Sequence, residues 1–329
     1  MKHRIVMDVD TGIDDAMAIM IAALHPDIEL AAISCVSGNV SVDKVLANTL
    51  KVLDLVGAPE IPVAAGATRP LVEERRDASQ VHGASGLGDL VLPASERSPA
   101  GVHAVELLRR EILASEEPVT LVALAPMTNL ALLLRTYPEV TDNLARIVFM
   151  GGSATVGNAT AVAEFNVWHD PEAAHIVLSS GVPLTMYGLD VFNEVAASEE
   201  AIRTLRASEN RVALALADLL GFEIPGPDGS GHAYNLIGDA GAVCAIVAPE
   251  LFTVEQWPVR VELAPSLGRG QTLVDRRARP GEDEVHGPSR AAWPAVDVVL
   301  AERRPGSVIE LFLRTLDVRE ALTSVPSDI

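Results

Sequence analysis

Short apolar runs alternate along the first 190 residues with longer stretches whose apolar positions recur at helical spacing. Arg4–Asp8, Glu29–Cys35, Val119–Ala123, Arg146–Met150 and Leu184–Tyr187 have the length and β-branched content of buried strands. Between them, Asp14–His25, Val42–Val56, Gly101–Ser115, Asn129–Thr136 and Pro171–Ser179 are predicted as helices. Strands that alternate with helices imply an α/β fold, a Rossmann-like, mostly parallel sheet flanked by helices. Ligands of such sheets sit beyond the carboxyl ends of the strands, so the segments following each strand are where chemistry is expected.

Two stretches break the alternation. Arg69–Pro99 is rich in charge, Gly and Ser, and Gly221–Gly238 reads GFEIPGPDGSGHAYNLIG, with Gly229, Gly231 and Gly238 as points of backbone freedom. Both are expected to be long mobile loops of the kind that close over ligands. Gly268–Pro288 is expected to be a solvated excursion between late strands. No repeat and no composition shift marks a boundary, so residues 1–329 are expected to form a single large domain.

Composition narrows the partners. Nearly half of the 329 residues are apolar, enough for a large core, and the formal net charge is −20. That charge argues against nucleic acid phosphates or anionic membranes as partners. Cys35 and Cys244 both lie in apolar stretches, which fits a reducing compartment better than a disulfide framework. The apolar run in MKHRIVMDVD is too short for a signal peptide, and charges or Gly/Pro interrupt every apolar run before it reaches membrane-spanning length. A cytoplasmic location is expected.

One segment calls for a specific chemistry. DVDTGIDD places Asp8, Asp10, Asp14 and Asp15 within eight residues, at the end of the first strand and the start of the first helix. The helix dipole there favours ionised Asp14 and Asp15, and capping alone would account for any one of them. Four together are explained by a hard divalent cation. Ca²⁺ accepts carboxylate and carbonyl oxygens in flexible geometry, Mg²⁺ is chemically open, and the lack of Cys/His ligand spacing disfavours zinc. Phosphotransferases of the haloacid dehalogenase type also space two Asp one residue apart after a first strand, but they carry Thr or Val where this chain has Gly12.

The segment resembles the signature of the nucleoside hydrolases, enzymes that cleave the N-glycosidic bond of ribonucleosides. The resemblance continues through VSGNV (Val36–Val40), VHGASGLG (Val81–Gly88), LAPMTNLA (Leu124–Ala131) and MGGSATVGNATAVAEFNVWHDPEAA (Met150–Ala174), with Asp239 as a later match. It implies a Ca²⁺ ion that binds the attacking water and ribose hydroxyls, held by Asp10, Asp15, Asp239 and the Leu124 carbonyl. Asp10 would take the proton from that water, and Asp14 would accept a ribose hydroxyl and favour the positive ring. By the same resemblance Asn39, Asn158, Glu164 and Asn166 contact the sugar beside the Asp239 ligand, Met150 packs against it, and His82 is a lid residue near the base. A homodimer or homotetramer is implied as well.

The chain departs from many members of that family immediately before Asp239. Gly238 stands where they carry a His that helps the base leave. His232 and Tyr234, a few residues upstream, are the replacement donors to weigh, and His232 is preferred because imidazole titrates near neutral pH. His169 and His175 are expected to be structural, as are Trp168, Trp257 and Trp293. Two alternatives to a ribonucleoside hydrolase follow: hydrolysis of another N-ribosyl compound, or a non-catalytic Ca²⁺-dependent ribose or nucleoside binder.

Overall fold

The computed structural model describes residues 2–225, 231–279, 281–282 and 293–318. Among these residues nine strands form the central sheet: β1 (His3–Val9), β2 (Ile28–Cys35), β3 (Val63–Ala65), β4 (Val119–Ala123), β5 (Leu144–Met150), β6 (Leu184–Tyr187), β9 (Phe252–Val261), β10 (Thr272–Val274) and β11 (Ala295–Glu302). Two further strands, β7 (Glu223–Pro225) and β8 (Gly231–Ala233), pair as a separate antiparallel ribbon. The sheet order is β10-β9-β11-β6-β5-β4-β1-β2-β3. From β3 to β11 by way of β6 every neighbour is parallel, and only β9 turns the far edge antiparallel.

All five strands and five helices expected from the hydrophobic pattern are present, with ends shifted by no more than three residues. The strands are readable because they are buried on both faces, and most of the helices because one face is buried. In β1, Ile5, Met7 and Val9 pack with the helices Ile13–Leu24, Val42–Leu55 and Ala240–Val247, while Val6 faces the opposite layer, with Ala104–Leu113 and Thr128–Thr136. The helix Ile13–Leu24 is apolar nearly all round because it lies inside its layer, with ten of its twelve residues buried.

Chain growth reverses between β1 and β4. From β1 the chain builds outward through β2 and β3, then returns to add β4, β5 and β6 on β1's other side. The crevice beyond the carboxyl ends of β1 and β4 is therefore the switch point of the sheet. Asp10 follows β1 there, and Leu124 follows β4.

The three irregular stretches are more ordered than expected. In Arg69–Pro99, Leu71 N–H donates to Asp170 Oδ2 (2.9 Å), Glu73 pairs with Arg269 (2.7 Å), Arg97 pairs with Asp54 (2.6 Å), and Ser79–His82 forms a helical turn. In Gly221–Gly238 the ribbon β7–β8 is stitched down by Tyr234 N–H to Phe222 O (2.8 Å) and Ala197 N–H to Asn235 O (2.7 Å). Gly229 and its neighbours 226–228 and 230 lie outside the described residues. Gly268–Pro288 is not simply a solvated excursion, since it contains β10, which extends the sheet through β9. Residues 280 and 283–288 of that stretch are also outside the described set.

Candidate active site

The acidic turn begins where β1 ends. The Asp15 carboxylate folds back over the turn, accepting from Asp10 N–H (3.1 Å) and Gly12 N–H (2.9 Å). Asn39, on the turn after β2, donates its backbone N–H to Asp10 Oδ2 (2.6 Å) and its side-chain amide to Asp10 Oδ1 (3.1 Å) and Asp15 Oδ2 (3.2 Å). Gly12 is required by close approach: a Cβ there would lie 2.6 Å from Asn39 Nδ2 and 2.7 Å from His82 Nδ1. That excludes the Thr or Val of the rival phosphotransferase motif.

Asp239, just before the helix Ala240–Val247, brings a further carboxylate to the turn. Oxygens of Asp14, Asp15 and Asp239 all lie within 4.8 Å of one another, and all three residues are buried. Burial, then the neighbouring Asp14 charge, pushes Asp15 up to about 7 in spite of its two N–H donors, so the helix start alone does not keep it ionised. Burial also raises Asp10, with Asp15 next in effect, and raises Asp239, with Asp14 next. Asp14 Oδ1 and Asp239 Oδ1 are buried without a hydrogen-bond partner among the described residues. Unpartnered carboxylate oxygens converging in a buried cluster fit a hard cation. Asp10 and Leu124, expected as ligands, border this cluster with other partners: Asn39 occupies both Asp10 oxygens, and the Leu124 carbonyl accepts from Asn166 Nδ2 (3.1 Å).

The segment after β5 supplies the second wall. Glu164 caps the short helix Phe165–His169 and takes N–H groups from Gly152 (2.9 Å), Asn166 (2.8 Å) and Val167 (3.1 Å). Burial nevertheless raises it to about 7. Asn166 Nδ2 also reaches the Met150 carbonyl (3.2 Å), and Asn158 Oδ1 accepts from Phe165 N–H (2.9 Å).

The third wall differs most from expectation. His82 is no loose lid residue but is buried, its Nδ1 accepting from Ile13 N–H (3.2 Å) and lying 3.9 Å from Asp14 Oδ1. That bond puts the imidazole proton on Nε2, and burial lowers the pKa against the pull of Asp14, which keeps the ring neutral. Tyr234 is buried, and its hydroxyl donates to Asp14 Oδ2 (2.9 Å), whereas His232 on β8 is exposed. Gly238 adopts φ +51°, and a Cβ there would lie 2.6 Å from Asp14 Cβ and 2.9 Å from Phe192. The turn that delivers Asp239 is thus packed too tightly for a His at 238. Gly238→Ala is expected to lower stability by at least ~1 kcal/mol, the usual cost of left-handed backbone in an L-residue, as read from the denaturation midpoint.

These walls enclose a cavity of about 370 Å³. Asp14, Asn39, His82, Leu124, Met150, Asn158, Glu164, Asn166, His232 and Asp239 all line it. Asp10 and Asp15 lie beneath its floor, fully buried. Apolar Ala78, Val81, Phe165, Phe192, Ile224 and Leu236 add hydrophobic walls, and the exposed lining residues Gln80, Asn158, Asn193 and His232 make the mouth polar. Trp168 is not part of it and instead stacks under the Arg76 guanidinium at 4.0 Å. Trp257 and Trp293 also lie elsewhere, facing Arg276 and Arg260. His169, buried and with a pKa lowered to about 4 by burial and then by Arg76, likewise stays outside. The direct reach of Tyr234 to Asp14 was not foreseen, because a contact across 220 residues leaves no local pattern.

Comparison with known proteins agrees with this geometry. The family model described as inosine-uridine preferring nucleoside hydrolase matches residues 5–302. A pyrimidine-specific ribonucleoside hydrolase RihA of Shewanella baltica is 43% identical over 281 residues, covering 84% of this chain and 87% of the relative. The protein of the same name from Shewanella woodyi is 43% identical over 278 residues, covering 84% and 89%. Among solved structures, a plant nucleoside hydrolase superposes with a TM-score of 0.86 at 29% identity, covering 96% of this chain and 99% of that one. A purine-preferring ribonucleoside hydrolase from Gardnerella vaginalis gives 0.83 at 28%, covering 97% and 99%.

Proposed function

The chain belongs to the inosine-uridine preferring nucleoside hydrolase family, a ribonucleoside hydrolase by its relatives, and we propose that it cleaves pyrimidine ribonucleosides to ribose and free base by direct attack of water with the help of Ca²⁺. The observation that carries this reading is the juxtaposition of three buried carboxylates, two with unpartnered oxygens, and a wall of amide and carboxylate groups suited to a polyhydroxyl sugar. The pyrimidine preference rests on the names of the relatives at 42–43% identity.

Asp10, Asp15, Asp239 and the Leu124 carbonyl would hold the ion, with Asp14 beside them. A bound Ca²⁺ supplies charge neutralisation for these carboxylates and lowers the pKa of water. Asp10 takes the proton from the attacking water at one of its two carboxylate oxygens. Asp14 opposes the positive charge that grows on the ribose ring and accepts one of its hydroxyls. For that, Tyr234 gives up part of its hold on Asp14 Oδ2. Asn39, Asn158, Glu164 and Asn166 orient the remaining hydroxyls, and Met150 packs against the sugar. His82, neutral and with its proton on Nε2, stands near the base.

His232 donates the proton to the departing base, since it lines the cavity at its exposed mouth. His232→Ala should then slow uridine hydrolysis while sparing a nitrophenyl riboside, whose leaving group departs unprotonated. Equal slowing of both substrates would remove His232 from that role.

Residues 1–329 act as one domain, and the protein works as a cytoplasmic homodimer or homotetramer. No helix among the described residues is long and apolar enough to cross a membrane, and both cysteines are buried and free. Release of reducing sugar from a panel of purine and pyrimidine nucleosides, with metal analysis of the purified protein and its mass in solution, tests the reading. No sugar from any nucleoside would overturn it.

A further inference from the structure

We propose that Thr272 and Asp190 are positioning residues, a two-sided clamp on the backbone of residues 151–155 that fixes Glu164 for ribose binding. The proposal rests on the hydrolase reading above for the identity of the ligand. Neither residue lines the cavity.

Among the described residues, Glu164 accepts hydrogen bonds from backbone N–H groups alone. Its Oε1 accepts from Asn166 N–H, and its Oε2 accepts from Val167 N–H and Gly152 N–H. The first two donors belong to the helix turn that Glu164 itself caps, so they move with it. Among the described residues, Gly152 N–H is the one donor from outside that turn, and it ties the carboxylate to the end of β5.

The position of Gly152 is set in turn from three directions. Its carbonyl accepts from Leu189 N–H (3.0 Å). On one side Thr272, buried in β10, grips the next residue with both functions of a single hydroxyl: Oγ1 accepts from Ser153 N–H (2.8 Å) and donates to Ser153 O (2.6 Å). That closes a two-bond ring with the peptide backbone, which a strand pairing would otherwise supply. On the other side Asp190 Oδ2 accepts from Ala154 N–H (2.7 Å) and Asp190 Oδ1 from Thr155 Oγ1 (2.7 Å). The segment is irregular, yet its backbone N–H groups at 152, 153 and 154 all end on side chains brought from other elements.

A second function of β10 follows. Its three residues extend the sheet only slightly, but they carry Thr272 across 119 positions of sequence to the back of the sugar wall. Loss of the hydroxyl frees the Ser153 peptide, lets Gly152 N–H wander from Glu164 Oε2, and leaves that carboxylate with donors that do not fix it relative to β5.

The test compares wild type, Thr272→Val, Thr272→Ser and Asp190→Ala in calcium-containing buffer, by uridine kinetics and by hydrogen exchange of the peptide spanning 151–164. Valine keeps the shape and removes both hydrogen bonds, serine keeps the bonds and removes the methyl, and Asp190→Ala releases the solvent side should the buried valine impair folding. The expected result is a roughly tenfold rise in KM for Thr272→Val, the scale of one or two lost hydrogen bonds, with kcat within a few fold. Exchange of the 151–164 peptide should quicken, Thr272→Ser should lie near wild type, and Asp190→Ala should shift in the same direction as the valine variant. Wild-type KM and exchange in both Thr272→Val and Asp190→Ala would overturn the proposal, and so would a serine variant as impaired as the valine one. If wild type leaves every nucleoside intact, the hydrolase reading fails separately. The clamp is then decided by exchange alone: faster in valine than in serine supports it, and equal rates reject it.

Discussion

Asp10→Asn is expected to lower kcat for uridine by roughly a hundredfold to ten-thousandfold, the usual scale for a lost general base, with a much smaller change in KM. Asp10 is fully buried, and burial with Asp15 close by raises its affinity for a proton, as suits a group that must accept one. Of the ribose-facing groups only Asn39 bonds Asp10 among the described contacts, while Asp14, Asn158, Glu164 and Asn166 are held by partners of their own, so most of the sugar affinity should outlast the change. The substitution is nearly isosteric but not silent. Asn39 presents two N–H donors to the two Asp10 oxygens, at 2.6 and 3.1 Å. An amide at position 10 can satisfy only one of them with oxygen, and its NH₂ then faces the other donor. The Asn39 side chain is expected to turn away, weakening its bond to Asp15 Oδ2 as well. Steady-state kinetics combined with metal content per chain separates the lost proton acceptor from a lost ion. Turnover within a few fold of wild type, with metal retained, would move the base elsewhere.

What the sequence disclosed, and what it hid, follows from the range of the interactions involved. The acidic turn was legible because Asp10, Asp14 and Asp15 are near neighbours whose mutual repulsion is visible in one line of sequence. Five of the inner strands, β1, β2, β4, β5 and β6, were legible because burial on both faces leaves largely apolar runs such as VTLVA in β4. β9 was harder. Its residues alternate irregularly between buried and exposed near the sheet edge, and Pro258 interrupts it. β3 and β10 are three residues each, too short to carry a period. His82 looked like a loop histidine because its burial comes from Ile13 N–H, 69 residues earlier, which needs an acceptor at the helix start. Gly238 looked like a missing catalytic group. In the structure it is a packing requirement, since the left-handed turn there presses on Asp14 and Phe192. Tyr234 illustrates the remaining limit: the ring that is buried and the ring that is exposed differ by two positions on the same ribbon, and only the pairing of β7 with β8 decides which one meets Asp14.

Removal of the metal is expected to destabilise the protein far more at pH 8 than at pH 5. Without a cation, burial raises Asp15 to about 7 and holds Asp10 and Asp239 well above the usual carboxylate range. A carboxyl whose folded-state pKa exceeds its unfolded value near 4 favours the fold while it is protonated, and that contribution is lost as pH rises through the folded value. The metal-free protein should therefore weaken as pH rises from about 4 through about 7, where the Asp15 proton is forced off. The metal-loaded protein behaves in the opposite sense, since an ion binds the deprotonated carboxylates and must compete with protons at low pH. The two curves diverge toward alkaline pH. At a free Ca²⁺ concentration a hundredfold above the dissociation constant, binding alone contributes about 2.7 kcal/mol, and relief of the buried repulsion is already contained in that affinity. Thermal melts with excess chelator and with added Ca²⁺, at pH 5 and pH 8, measure the gap directly. A chelator effect equal at both pH values would mean that the ion sits away from this cluster. Full stability and activity after chelation would mean that Asp14, Asp15 and Asp239 share protons rather than a metal, and replenishment by zinc alone would reject the oxygen-ligand site.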